Sequence, residues 1–414
     1  MLLRYVRAAI KPFLTKLDKR FKVLIAATGI FNWAFALPAT YSQLYTALLG
    51  ATPLVLGLLS SLGSLIGALA AIPAGWFMDK YGTKKALLCG LLLFAASALI
   101  YALAVNWLLL LPATVLLSVV PTLVFPISDI IIVETTSSGS RAKAMGMSRS
   151  VWSIFSSFSP PVATMLVVTF GGLTVEGIRP IFYVQLFAAL LSAALVALAL
   201  EDTGRRGSSG SNSSVSSILR GFKVVLSRGD YMIWILAVTF LRFSMSVSFS
   251  YLPLWLVEVR HADPYTIGLM NTVGLAVLVL FSTVAGALAD KFGWLKVFIT
   301  TRTLLYVGTI VMAFIDDPRA LVFAGITGAF GFMYGAGSVS FIPFITAFWE
   351  APEPDLRGSW LATSNLLAGL IAAVAPVVGG VLWESGYKDF TLLAPLIIDI
   401  GVILLTVKAS KLKR

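Results

Sequence analysis

Residues 75–85 read GWFMDKYGTKK, and residues 286–296 read GALADKFGWLK. Gly75, Asp79, Lys80 and Gly82 of the first stretch recur as Gly286, Asp290, Lys291 and Gly293 of the second, each shifted by 211. Ahead of them, Pro53, Gly57 and Gly63 return at the same offset as Pro264, Gly268 and Gly274. Later in the chain Glu134, Arg141 and Pro160 come back as Glu350, Arg357 and Pro376, shifted by 216. So many positions at so few offsets make the two halves copies of one unit.

Both copies are too apolar for a water-soluble domain. Hydrophobic residues make up 58% of the chain and charged residues 12%, with a mean hydropathy of +0.92. A helix needs roughly 20 mostly apolar residues to cross a bilayer core. Twelve stretches qualify, at residues 23–48, 54–77, 85–104, 107–133, 144–170, 180–200, 231–256, 265–288, 297–315, 320–348, 358–383 and 391–408. The expected organisation is a basic N-terminal segment (1–22), a first six-helix bundle (23–200), a linker (201–230) and a second bundle (231–414).

Twelve crossings leave both termini on one side, and Lys and Arg decide which. Of 31 basic residues, 26 fall in the terminal segments, the linker and the regions in and around the gaps on the same side as the termini. Only Arg179, Arg260, Arg319 and Lys388 fall opposite, and Arg242 lies within a span. Both termini are therefore expected in the cytoplasm of a multi-pass plasma-membrane protein. Residues 1–17 alternate apolar and basic side chains as an interfacial helix would, and basic residues continue to Lys22 with no small-residue cleavage site. The linker holds the polar run GSSGSNSS at 207–214, followed at 218–228 by ILRGFKVVLSR, a second surface-lying pattern.

The net charge of +12 follows from this dispersed distribution, so nucleic acid is not an expected partner, whereas membrane lipids are. The one cysteine, Cys89, excludes disulfides and thiolate clusters within the chain. The one histidine, His261, falls at a turn and reads as solvated. Motifs for nucleotides, metallohydrolases and nucleophile elbows are absent, so no cofactor, metal or enzymatic activity is expected.

At the two quoted stretches the chain resembles the major facilitator superfamily, whose loop between the second and third helices has the form G-x-L-a-D-r-x-G-r-k. The acid-to-base spacing of the family's helix 4–5 connection is also present, as ETTSSGSRAKAMG at 134–146 and EAPEPDLRGSW at 350–360. Position nine, usually basic, is Thr83 in one copy and Trp294 in the other. The resemblance implies an all-α membrane fold of two pseudo-symmetric six-helix bundles. It also implies a monomer that rocks about a central small-molecule site in alternating access. On that reading Gly75, Asp79, Lys80, Gly82, Lys84, Glu134 and Arg141 form a cytoplasmic latch, repeated by Gly286, Asp290, Lys291, Gly293, Glu350 and Arg357. Asp79 would accept from a helix N-terminus across the bundles, and Glu134 and Arg141 would pair with Lys84, Lys85 or nearby acids. The alternative is that these charges only set topology.

A charge inside a span costs a few kcal/mol on insertion scales, so each such charge is a site hypothesis. Arg242 lies midway along helix 7, which the resemblance places on the cavity together with helices 1, 4 and 10. It is expected either to bind an anionic group or to pair within the protein. Asn32 and Gln43 of helix 1 and Tyr334 and Ser338 of the glycine-rich helix 10 are the other expected substrate ligands. Organic-phosphate antiporters of the family set an Arg in helix 1 against that of helix 7, and helix 1 here has none. Asp129 and Arg149 sit roughly 9–11 Å inside antiparallel neighbouring helices and are expected to pair, either as structure or as a proton-coupling element. Asp399, midway along helix 12, is expected to face helix 10 or 11, with Asn365 or a hydroxyl as partner, or to stay protonated. Where drug antiporters carry G-P-x-x-G-G in helix 5, residues 159–164 read SPPVAT.

The expected function is alternating-access transport of a small or amphipathic organic solute, with a bias toward anions and with proton coupling. Multidrug or lipid efflux, and a sensor or scaffold that keeps the fold without flux, are the alternatives.

Overall fold

Gly82 adopts φ 87° and Gly293 φ 92°. A side chain is rarely tolerated in that left-handed region, so each motif glycine stops one long helix and lets the next begin at once. The computed structural model describes residues 19–136, 141–200, 223–332, 334–353 and 356–412. Residues 1–17, the polar run 207–214 and the first part of the stretch 218–228 lie outside it.

The first half comprises α1 (Lys19–Ala36), α2 (Ser42–Leu48), α3 (Pro53–Tyr81), α4 (Thr83–Leu103), α5 (Leu110–Glu134), α6 (Arg141–Ser157), α7 (Ser159–Thr169) and α8 (Val175–Ala199). The second comprises α9 (Gly229–Phe249), α10 (Leu252–Glu258), α11 (Pro264–Phe292), α12 (Trp294–Phe314), α13 (Pro318–Thr327), α14 (Phe341–Trp349), α15 (Arg357–Ala372), α16 (Ala375–Glu384) and α17 (Phe390–Leu412). Taken with the breaks at α1/α2, α6/α7, α9/α10, α13/α14 and α15/α16, these make twelve rods that coincide with the twelve expected spans. Ten rods contain stretches long and apolar enough to cross a membrane. The first and tenth are broken, at residues 37–41 and 328–335, and their pieces fall short singly.

The repeat is visible in three dimensions. Helices α3 and α11 are both 29 residues long and α4 and α12 both 21, at an offset of 211. Thr52 caps α3 by accepting from Val55 N–H, and its mate Asp263 caps α11 by accepting from Thr266 N–H at 2.6 Å. Prolines sit in the first turn of α7, α10 and α16, where a missing N–H costs no helical bond.

Within each half the helices pack on one another, α4 against α5 and α8, and α9 against α15 and α17. The halves meet where α3 packs on α15 and α16, and α11 on α6 and α7. The buried apolar residues show how the halves join. At the end that carries the termini the buried residues of the two halves form separate clusters, first-half residues such as Phe21, Phe94 and Val196 apart from second-half residues such as Trp234, Phe344 and Trp360 and a small cluster around Val297. At the far end a single core unites Tyr41, Tyr45 and Phe182 with Tyr251, Trp255 and Trp383. The molecule is thus closed at the far end and parted at the end bearing the termini. Its outer surface is apolar, with Leu198 88%, Phe187 70% and Leu280 67% exposed, as a lipid-facing surface requires.

Candidate functional site

Helices 1 and 7, the first of each half, both break at the same depth, after Ala36 and after Phe249. Helix 10 breaks too, because Gly328, Gly331 and Gly335 hold φ of 88°, 79° and 89°. Open backbone at membrane depth is tolerated only where protein or an aqueous cavity surrounds it. Here it borders two adjoining cavities that share Ala39, Gln43 and Phe249. The larger, of about 280 Å³, lies among helices 1 to 4 and 6, and the smaller reaches Asn271, Phe332 and Tyr334. Their walls are mainly apolar and aromatic, with amide and hydroxyl groups but no charged side chain among the described lining residues.

Gln43 and Tyr334, expected as ligands, therefore face the cavities. Ser338 does not line them: its hydroxyl donates to the Tyr334 carbonyl at 2.7 Å and staples the turn after the helix 10 break. Three of the four helix 7 serines are likewise structural. Ser244 and Ser248 donate to the Pro395 and Thr391 carbonyls of α17, and Ser250 donates to Ser60.

Arg242 precedes Phe249 by seven residues, two turns or roughly 10 Å along the same face of α9, which aims it at the approach to the cavities from the parted end. Its Nη2 donates to Asn365 Oδ1 of α15 at 2.8 Å, and no described carboxylate pairs with it. Asn32 occupies the matching place on α1, 13 residues from the start of its helix as Arg242 is from the start of α9, and donates to the Thr28 carbonyl.

Asp129 of α5 and Arg149 of α6 form an ion pair with 2.7 Å between Oδ2 and Nη2. The pair is half-exposed, and the guanidinium also lies over the Trp152 ring. Asp129 Oδ1 is buried without a hydrogen-bond partner. An ionised carboxylate is poorly served by one satisfied oxygen and one bare one.

Asp399 departs from its expectation in the helix it faces: it turns to α12 rather than to helix 10 or 11, and Arg302 pairs with it there at 2.7 Å between Nε and Oδ2. A hydroxyl was one of the expected partners, and the Tyr306 hydroxyl donates to the same carboxylate. Arg302 is 1% and Asp399 0% exposed. Arg302, counted above among the basic residues of a gap, is therefore an intramembrane charge. The sequence carried the signal, since position 302 falls inside the expected span 297–315, opposite an otherwise unexplained acid.

Among the described residues, the motif glycines touch no partner bundle here. A Cβ added at Gly75, Gly82, Gly286 or Gly293 would touch nothing within 4 Å, so no helix approaches closely at these glycines at the parted end. Lys84 donates to the Ala197 carbonyl at 3.0 Å rather than to Glu134, which is exposed. Lys80 lies over Trp76, Lys291 over Phe292, and Asp290 is exposed. The side chains of Asp79, Arg141 and Arg357 lie outside the described set, while Glu350 ends α14 at the same face of the molecule. His261 is exposed in a turn at φ 50°.

Residues 23–376 match the family model of the Major Facilitator Superfamily. The chain is 24% identical over 368 residues to the probable sulfoacetate transporter of Cupriavidus necator, covering 81% of this chain and 80% of that one. It is 23% identical over 369 residues to multidrug resistance protein 2 of Bacillus subtilis, covering 85% and 87%. Among solved structures, a nucleoside transporter superposes with a TM-score of 0.77 at 12% identity over 96% of this chain and all of that one. A bacterial homologue of the human lysosomal transporter Spinster, in an inward-facing unoccupied conformation, superposes with a TM-score of 0.71 at 16% identity, covering 95% and 98%.

Proposed function

The chain belongs to the major facilitator superfamily of membrane transporters, and from that premise we propose that it is an alternating-access, proton-coupled transporter of a small or amphipathic organic anion. The observation that carries this reading is Arg242, a guanidinium inside a membrane span whose partner is the neutral amide of Asn365. A cation within a membrane span costs free energy unless something negative meets it, and a transported anion would do so. An anionic head at Arg242 would leave the apolar body of the solute to reach the aromatic cavities two turns further in. Gln43, Asn32 and Tyr334 would offer polar contacts along that path, and Ser338 would hold Tyr334 in place. The similarity to a probable sulfoacetate transporter agrees with an anionic cargo.

Asp129 is the proposed coupling acid and Arg149 its counter-ion. The bare Oδ1 favours a carboxyl that takes up a proton, after which Arg149 is released. The two loop motifs would latch the parted end shut in the opposite state of the cycle. The charge distribution favours that end, with both termini, as the cytoplasmic face of a plasma membrane, and a monomer of two bundles, 23–200 and 231–414, suffices for the cycle. Efflux of uncharged or cationic drugs or lipids is the second reading, favoured by the charge-free cavity walls.

Proteoliposome uptake tests both. Saturable uptake of organic sulfonates or carboxylates is expected, lost in Arg242→Ala and retained at reduced affinity in Asn365→Ala. Intact anion uptake in Arg242→Ala would sink the anion reading, and drug flux in its place would establish the second. Asp129→Asn is expected to remove the dependence of uptake on a pH gradient; a gradient requirement that survives it excludes Asp129 as the coupling acid. Absence of flux across both panels would leave a sensor or scaffold.

A further inference from the structure

The repeat has two parts, and the loop motif at the parted end accounts for only one. The other, Pro53 with Gly57 and its copy Pro264 with Gly268, opens α3 and α11 at the far end. Each copy receives a tyrosine from the opposite half. Tyr251 donates its hydroxyl proton between the Pro53 carbonyl, at 3.2 Å, and the Pro376 carbonyl of α16. Tyr41 donates to the Pro264 carbonyl at 3.3 Å and shares a hydrogen bond of 2.9 Å with the Thr164 hydroxyl of α7. The two tyrosines lie 210 residues apart, are both wholly buried, and both stand at the first residue before the second piece of a broken helix, α2 and α10.

The glycines explain themselves in this arrangement. Each lies one turn after its proline, where a side chain would cover the carbonyl that the tyrosine reaches. A Cβ at Gly57 would strike the Tyr251 hydroxyl and the Pro376 carbonyl, and one at Gly268 would strike the Thr164 side chain. Gly379 of α16 clears the ring of Tyr251 in the same way, and Gly380 clears its hydroxyl and the Pro53–Leu54 backbone. Glu384 adds a further tie between the halves by accepting from Leu54 N–H at 3.1 Å.

We propose that Tyr41 and Tyr251 are the paired latch of the far end, each docked on the proline carbonyl of the other half, and that cavity occupancy acts on them directly. Residues adjoining the tyrosines line the cavities: Thr40 and Ser42 flank Tyr41, and Leu252 and Pro253 follow Tyr251. A solute that fills the cavities presses on the two short unwound elbows that hold the tyrosines in register, so binding and release of the far end share one piece of backbone. This rests on the transporter reading above, whereas its test needs no substrate and no flux.

The chain is freed of its one cysteine by Cys89→Ala and given a reporter at the cavity by Ala39→Cys. A membrane-impermeant maleimide is then applied to the side opposite the termini, that side being identified by protease access to a terminal tag. Tyr41→Phe and Tyr251→Phe keep the ring and remove the hydroxyl; each is expected to raise the labelling rate about fivefold, the shift in a two-state equilibrium for one net hydrogen bond, and both together to raise it further. Thr164→Val, which alters a residue other than the tyrosines, is expected to act in the same direction as Tyr41→Phe. The thermal midpoint of each variant, read in parallel, separates release of the latch from loss of fold. Folded variants that label at the parental rate would overturn the proposal, whatever the outcome of the transport assays.

Discussion

Arg302 and Asp399 illustrate how much a single buried charge depends on its partner. With Arg302 1% and Asp399 0% exposed, each ion has left both water and lipid headgroups behind, and the carboxylate is repaid by the guanidinium and the Tyr306 hydroxyl. Removing one partner strands the other, so Arg302→Leu and Asp399→Leu are each expected to destabilise the protein by about 3–5 kcal/mol. Replacing both is expected to cost much less than the sum, because no uncompensated charge remains; thermal unfolding of the two single variants and the double variant in detergent checks this. Arg242 differs in kind. Its neighbour Asn365 satisfies one N–H without neutralising the charge, so Arg242, unlike Arg302, has no carboxylate partner among the described residues.

At the scale of the element, the break in helix 10 is the feature that distinguishes the halves most. Its counterpart in the first half, α5, runs unbroken from Leu110 to Glu134 despite Pro121 and Pro126. Helix 10 instead carries three glycines at positive φ, and the chain around them packs tightly: Gly335 N–H donates to the Gly274 carbonyl at 2.9 Å, and a Cβ on Gly331 would come within 2.9 Å of Ser248. Gly331→Ala is therefore expected to lower stability by about 1–3 kcal/mol, through both a disallowed φ and a clash, and to lower substrate affinity because Phe332 and Tyr334 hang from the same segment. Thermal unfolding and a binding isotherm measured on one preparation check the two effects. An affinity unchanged by the substitution would show that the break serves packing alone. The glycine spacing points to a bend or to tight packing in this element; that the helix unwinds is decided by α11, whose Gly274 carbonyl offers an acceptor to the freed N–H.

The whole molecule is fused at the far end and parted at the other, and the glycines of its most symmetric sequence feature stand at the parted end with nothing against them. That produces an expectation opposite to the usual one for a motif glycine. Gly75→Ala and Gly286→Ala meet nothing in this state, so each is expected to leave thermal stability within about 0.5 kcal/mol of the parent. If the motifs close on the partner bundle in the other state, the same substitutions are expected to slow transport severalfold. Initial uptake rates against thermal midpoints check this, and unchanged uptake would remove the motifs from the cycle.

The sequence by itself determined the number and approximate places of the spans, the duplication, the family and the placement of Asp129 beside Arg149. These follow from composition, from chain-local periodicity, and from helices whose neighbours in sequence are neighbours in space. Only the tertiary structure decided that Asp399 belongs to Arg302, that Arg242 rests on Asn365, and that Tyr41 and Tyr251 dock on Pro264 and Pro53. Such partners lie about 100 to 220 residues apart along the chain, and their choice depends on how helices rotate about their own axes when two bundles pack. The resemblance also left open which end of the molecule is joined, since the loop motif is the same sequence in either state. The paired tyrosines, glycines and prolines at the far end decide it here, because their short contacts exist only when the halves meet there.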